Sequence, residues 1–285
     1  MFTAELVIVY LASLAAGRAG VRPSWKIIEP VVIALILTIS YWASTEIVLG
    51  RLVGILVSSA ASALIVTVVT YVLGFIWKGG AQGQGRSWKP SDLRYAVALA
   101  TGYLAGLIVR IGIPFDLAVQ YELLILIMLV GMKVGGELRP ALISSAGIKA
   151  LKSTATAFLG SALSFILIYV AFTRSPSVAA AGAFGFGWYS LAGPLAAKYD
   201  GPAAGVFVFL VNFFREQLTF LLVPFLAKTS RNPEGAIAVG GATTMDTTLA
   251  LFTEVYGSDL GVAALINGLL LSVAVPVLLP VILYL

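Results

Sequence analysis

The sequence contains no cysteine and no histidine. The missing cysteine excludes disulfides and thiol chemistry. Together the two absences remove the commonest zinc and copper ligands and the side chain most often used to move protons near neutral pH. A serine–histidine protease is thereby excluded, and any proton relay has to run on carboxylates. Charge is scarce as well. Of the 285 residues 11% are charged and 60% hydrophobic, where a soluble domain carries about 25% and about 45–50%. One soluble core cannot hide that much apolar surface, so lipid must cover the excess. A spanning helix needs roughly 20 apolar residues, which leaves room for about eight to ten crossings. In such a chain the formal charge of +5 reports topology, not nucleic-acid binding.

Apolar segments fall at 2–16, 27–49, 52–77, 95–113, 117–134, 153–173, 178–197, 201–227, 235–253 and 260–284. The first lacks a basic leader and a small-residue cleavage site, so it reads as a retained helix and not as a signal peptide. Two segments are unlike the rest. Segment 178–197 is interrupted by Gly182, Gly185, Gly187, Gly193 and Pro194; segment 235–253 holds Gly240, Gly241, a run of threonines and Asp246. Broken, polar backbone at membrane depth is tolerated where it lines a cavity or is buried in protein. Lys and Arg cluster at 18–26, 78–94 and 133–152 and again at Lys228 and Arg231. All of these fall on one side if both broken segments are re-entrant and the N-terminus is outside. The expected fold is therefore an all-α polytopic membrane protein of about eight transmembrane helices plus two broken, re-entrant segments. It forms one integral membrane domain over 1–285, with residues 79–94 and 133–152 cytoplasmic and both termini outside. A weak pattern shared by 27–77 and 117–173 suggests an inverted repeat, with units 1–77 and 95–173 and a broken-helix core over 178–285.

Three places carry polarity that a bilayer resists. Asn212, Arg215, Glu216 and Thr219 lie at i, i+3, i+4 and i+7 on one helix face. They read as a functional cluster facing the protein interior or as an Arg–Glu pair that locks two helices. The run Gly-Gly-Ala-Thr-Thr-Met-Asp-Thr-Thr at 240–248 offers freed carbonyls, the Thr243 and Thr244 hydroxyls and the Asp246 carboxylate to a cation or an amine. The competing reading is an aspartate that caps a half-helix. The run Gly-Phe-Gly-Trp-Tyr-Ser-Leu-Ala-Gly at 185–193 allows a ligand close to the backbone at Gly187 and Ser190. A half-helix N-terminus there can hold a carboxylate, and Trp188 or Tyr189 can face an ammonium group; an aromatic interface anchor is the alternative. Glu46 and Lys133 look peripheral, the first facing interface water and the second obeying the positive-inside rule.

At these residues the chain resembles a known family. GFGWYSLAGPL (185–195), FFREQ (213–217) and GGATTMDTTL (240–249) occur together, and in this order are similar to the bacterial and archaeal lysine exporter family. The resemblance is strongest from about residue 117 onward and faint over the first 90 residues. It implies export of L-lysine and close cationic analogues across the cell membrane, driven by proton antiport, with no enzyme activity and no cofactor or metal. It carries family positions onto Asp246, onto Arg215 and Glu216, and onto Gly187, Trp188, Tyr189 and Ser190. Asn212 stands where the family pattern has an acid, and Leu37-Thr38-Ile39-Ser40 only dimly matches its early motif, with Glu46 the candidate for the acid near it. Those departures leave the number of titrating carboxylates open. A sodium–proton or other cation antiporter using Asp246 and Glu216 is the second reading.

Overall fold

The computed structural model describes residues 2–47, 49–77, 83, 93–138 and 140–284. Most of the stretch 79–94 expected to be cytoplasmic, with Arg86 and Lys89, and also Lys78 and Arg139, lie outside the described residues. Among the described residues twelve helices follow one another, with no strand: α1 (Phe2–Arg18), α2 (Trp25–Glu46), α3 (Leu49–Leu73), α4 (Arg94–Ile108), α5 (Phe115–Glu137), α6 (Pro140–Ala171), α7 (Pro176–Phe184), α8 (Tyr189–Asp200), α9 (Pro202–Thr229), α10 (Pro233–Gly240), α11 (Leu249–Tyr256) and α12 (Ser258–Tyr284). A 3₁₀ turn, Gly74–Ile76, continues α3, and another, Gly241–Met245, follows α10. Six elements are long and apolar enough to cross a membrane: α2, α3, α5, the part of α6 from Gly147, α9 and α12. The shorter apolar α4 runs beside α2, and α1 beside α5.

Side-chain contacts fix the direction of each. Phe2, Asp116, Lys198, Tyr199 and Tyr284 gather at one end of the bundle, the terminal face. Arg22, Trp25, Lys133 and Glu137 gather at the other, the basic face. α1, α3, α5 and α9 run from the terminal to the basic face; α2, α4, α6 and α12 run back.

The packing inverts that of a soluble helix. On α3 the outward positions are Val53, Val57, Leu64, Val68 and Val72, and the inward ones include Ser59, Ser62, Thr67 and Thr70. With lipid outside there is no hydrophobic drive between helices, so close backbone approach does the work. Gly102 and Gly106 of α4 lie against Ser40 and Ser44 of α2, and Gly131 and Gly135 of α5 against Ser13 and Leu14 of α1. No Cβ fits at any of the four.

The two broken segments are hairpins. Ser175 caps α7, with Pro176 at its start, and Asn232 caps α10, with Pro233 at its start. Pro is pre-set for the first helical position. α7 descends from the terminal face and α8 returns to it, since Ser177 donates to Asp200 at 3.1 Å. α10 enters from the basic face, and α11 brings Tyr256 back there, beside Ala227 near the end of α9. Gly201 (φ 84) and Gly257 (φ 87) then reverse the chain into α9 and α12. Half-helix, break, half-helix, spanning helix thus occurs twice, from opposite faces. Displaced by 55 residues, Gly185, Gly187 and Asn212 fall on Gly240, Ala242 and Asn267.

Candidate functional site

The tips of the hairpins meet inside the bundle. The Ala242 amide donates to the Phe186 carbonyl at 2.9 Å, and Gly241 (φ 63) leaves room for that carbonyl where a side chain would collide. Phe186 itself is fully buried with φ 49, a left-handed backbone that a bulky residue adopts only when its surroundings impose it. Freed backbone groups at both breaks need partners, and the long helices supply them. Asn212 on α9 accepts from Gly187 N at 2.9 Å and donates to Val208 O at 3.0 Å and Gly182 O at 3.4 Å. Asn267 on α12 donates to Gly241 O at 3.0 Å and Thr244 Oγ1 at 3.1 Å, and accepts from Thr154 Oγ1 at 3.1 Å.

Arg215 binds both hairpins. Its guanidinium donates to Val239 O and Ala238 O of α10 at 2.9 Å each, and to Ala183 O of α7 at 3.4 Å. The carbonyl ends of two half-helices converge on one cation, the sign that the helix dipole favours at a C-terminus. Arg215 is fully buried and lies outside the cavity lining. Asn212 and Thr244 are likewise fully buried and occupied with backbone. These three sequence candidates shape the tips and do not face the cavity.

The others, Glu46 excepted, do face it. A cavity of about 300 Å³ is lined by Gly187, Trp188, Tyr189 and Ser190 from the first hairpin and by Thr243, Asp246 and Thr247 from the second, with Glu216 from α9. It extends to Trp25, Arg94 and Lys133 at the basic end. Its size is at the small end of ligand sites, and suits one amino acid. Asp246 Oδ1 accepts from Thr247 N at 2.6 Å and Thr247 Oγ1 at 3.0 Å. Thr243 is turned inward, donating to Gly240 O at 2.8 Å. Tyr189 packs on Tyr95, Phe209 and Phe213, which fixes its ring at the cavity edge. At the terminal face Lys198 pairs with Asp116 at 2.7 Å and Tyr199 meets Thr3, and neither pair lines the cavity. Glu46 sits at that face beside Gly201 and does not join the site; its segment matches the family motif only dimly, and position near a helix end is what decides its place.

Within a match over residues 96–283, the chain fits the family described as lysine exporter LysO. The chain belongs to the lysine exporter LysO family. A relative named "Lysine exporter LysO", from Escherichia coli (strain K12), is 31% identical over 201 residues, 65% of this chain and 65% of that protein. A protein of Haemophilus influenzae (strain ATCC 51907 / DSM 11121 / KW20 / Rd), named "Putative lysine exporter", is 28% identical over 163 residues, 56% of this chain and 80% of that one. The aligned part thus spans less than two thirds of the E. coli exporter's length. The LysO match covers both hairpins and every cavity-lining residue named above except Trp25, Arg94 and Tyr95.

Sequence reasoning missed Trp25, Tyr95 and Ser272, set Arg94 and Lys133 aside as topology signals, and overlooked Asn267. Asn267 carried a signal: a lone asparagine in an apolar run, at the same remove from its glycine break as Asn212 from the first. Trp25, Arg94 and Tyr95 come to the cavity only through the packing of α2 and α4, which no local pattern announces.

Proposed function

We propose that this protein exports L-lysine and close cationic analogues from the cytoplasm, as a secondary transporter that exchanges the amino acid for protons. The observation that carries the reading is Asp246, a carboxylate at the tip of a broken hairpin, lining an amino-acid-sized cavity with Trp188 and Tyr189 across from it. One oxygen is engaged by Thr247, which leaves the other to hold either a proton or the substrate's side-chain ammonium. Competition for that oxygen enforces exchange. Moving one positive charge outward against an inside-negative potential costs about 2.3 kcal/mol per 100 mV, and one inward proton cancels that cost. Glu216 is the second carboxylate at the cavity wall and the next candidate for the coupling role.

The orientation follows from charge. Arg18, Arg22, Lys26, Arg94, Lys133, Lys149, Lys152, Lys228 and Arg231 belong to the basic face; Arg51, Arg110, Arg174 and Lys198 belong to the terminal face. By the positive-inside rule the basic face is cytoplasmic, both termini are outside the cell membrane, and the cavity opens inward. The first six helices support an inverted repeat of 1–77 and 95–173: α1 packs on α5 as α4 packs on α2, and the two trios run in opposite senses.

The test is lysine counterflow in proteoliposomes under an imposed pH gradient. Lysine-dependent proton flux that disappears in Asp246→Asn supports the reading. Sodium-dependent proton flux without lysine transport would replace it with a cation antiporter.

A further inference from the structure

Lysine export leaves the amino-acid end of the substrate unexplained, and the following rests on that reading. A lysine bound by its side chain at Asp246 brings an α-carboxylate that must also leave water. The N-terminus of α8 is one candidate acceptor, but three of its amides are spent: Trp188 N donates to Gly185 O at 2.8 Å, Tyr189 N to Gly187 O at 3.0 Å and Leu191 N to Trp188 O at 3.2 Å. Arg215 is committed to three carbonyls. Arg94 lines the cavity but is ion-paired to Glu29 of α2. Lys133 is the remaining cation on the lining among the described residues.

Lys133 is held loosely. Its ammonium is 3.8 Å from Glu137 Oε1, one turn along the same helix, and its side chain is 25% exposed. Such i,i+4 pairs contribute little and are readily given up. It also stands 5.3 Å from the centre of the Trp25 ring, which orients the side chain over the cavity mouth. Arg22 borders Glu137 in an adjoining cavity of about 450 Å³, which also reaches Lys133 and Met245, so Glu137 keeps a cationic neighbour when Lys133 turns away. The charges on the lining are therefore arranged in sequence: carboxylates at the hairpin tips and α9, an ammonium at the mouth.

We infer that Lys133 is the specificity-determining residue that receives the substrate's α-carboxylate, so that the site selects an amino acid over the corresponding diamine. The selection has two parts. A carboxylate gains a charge-assisted contact with the ammonium. A diamine of the same length has nothing to offer there and places a second cation close to Lys133, and like-charge juxtaposition is costly. Lys133 is partly exposed, so solvent reduces both effects, and the discrimination expected is about tenfold.

The experiment is competition against labelled lysine in proteoliposomes, with 1,5-diaminopentane, which lacks the carboxylate, and 6-aminohexanoate, which lacks only the α-amine. With the wild-type protein, 1,5-diaminopentane should compete about tenfold more weakly than lysine, and 6-aminohexanoate should compete better than the diamine. In Lys133→Gln the gap between lysine and the diamine should close, and in Lys133→Arg it should persist. Equal competition by lysine and diamine in the wild type overturns the inference and needs no variant. A gap unchanged in Lys133→Gln overturns it too. Failure of the wild type to move lysine at all would instead remove the transport reading beneath it.

Discussion

The two hairpins share a plan and differ in chemistry. Each starts with a capped proline, breaks at glycines, and is tied to an asparagine on the spanning helix that follows it. The first tip, Gly185–Ser190, is aromatic and carries no charge; the second, Gly240–Thr247, holds threonines and Asp246. The plan is what puts unwound backbone at mid-membrane from either face. Of the two tips, only the second carries a charged side chain. A cavity at the contact of two such tips touches both hairpins at once, with the Asp246 carboxylate from one tip and aromatic surface from the other.

The largest effect should come from removing what the hairpins share. Arg215→Leu strands three carbonyl contacts, at about 1–3 kcal/mol for each unsatisfied buried group, and should abolish folded protein in detergent. Arg215→Lys should recover part of it. Thermal unfolding decides this, and an unchanged midpoint for Arg215→Leu would show the hairpins to be held by something else. Asp246→Asn attacks only the second tip. It should leave the midpoint within a few degrees and reduce proton-driven lysine flux by roughly 30-fold or more, while Glu216→Gln should impair flux more than folding. Asn212→Ala and Asn267→Ala should each cost about 1–3 kcal/mol, and hydrogen exchange should rise at the first tip for one and at the second for the other. Equal loosening of both tips by either variant would break the comparison. Smallest is Gly187. Gly187→Ala places a side chain at φ 83, about 1–2 kcal/mol. Gly241→Ala adds a collision with the Phe186 carbonyl, and should be the more destabilising of the two in the same unfolding assay.

Much of the architecture is legible in the order of the amino acids. Clustered glycines next to polar residues mark the two breaks, and reading both as re-entrant brings the clustered lysines and arginines to one end of the bundle. The residues around Asp246 are legible for the same reason, since a carboxylate in an apolar run has few uses. Direction is not legible. Helical spacing puts Asn212, Arg215 and Glu216 on one face, yet Glu216 reaches the cavity wall and Arg215 reaches the carbonyls of two other elements. A three-residue spacing cannot say how far a long side chain extends or which backbone it finds. Lys133 escapes notice by the same limit, because its position near a helix end satisfies the charge rule and conceals its place on the lining.

Arg215 has a mechanical consequence. Its single guanidinium is moored to α7 and α10 together and is fully buried. If one tip swung out alone, the other would be left with an ion half undressed in a hydrocarbon interior, at a cost of several kcal/mol. The two tips must therefore travel as one rigid cargo platform with α9. If the protein transports as proposed, its cavity would change sides by the surrounding helices α2, α4 and α5 sliding past the platform, and a cysteine pair introduced between Phe186 and Ala242, in a chain that has no cysteine of its own, should then leave lysine transport running.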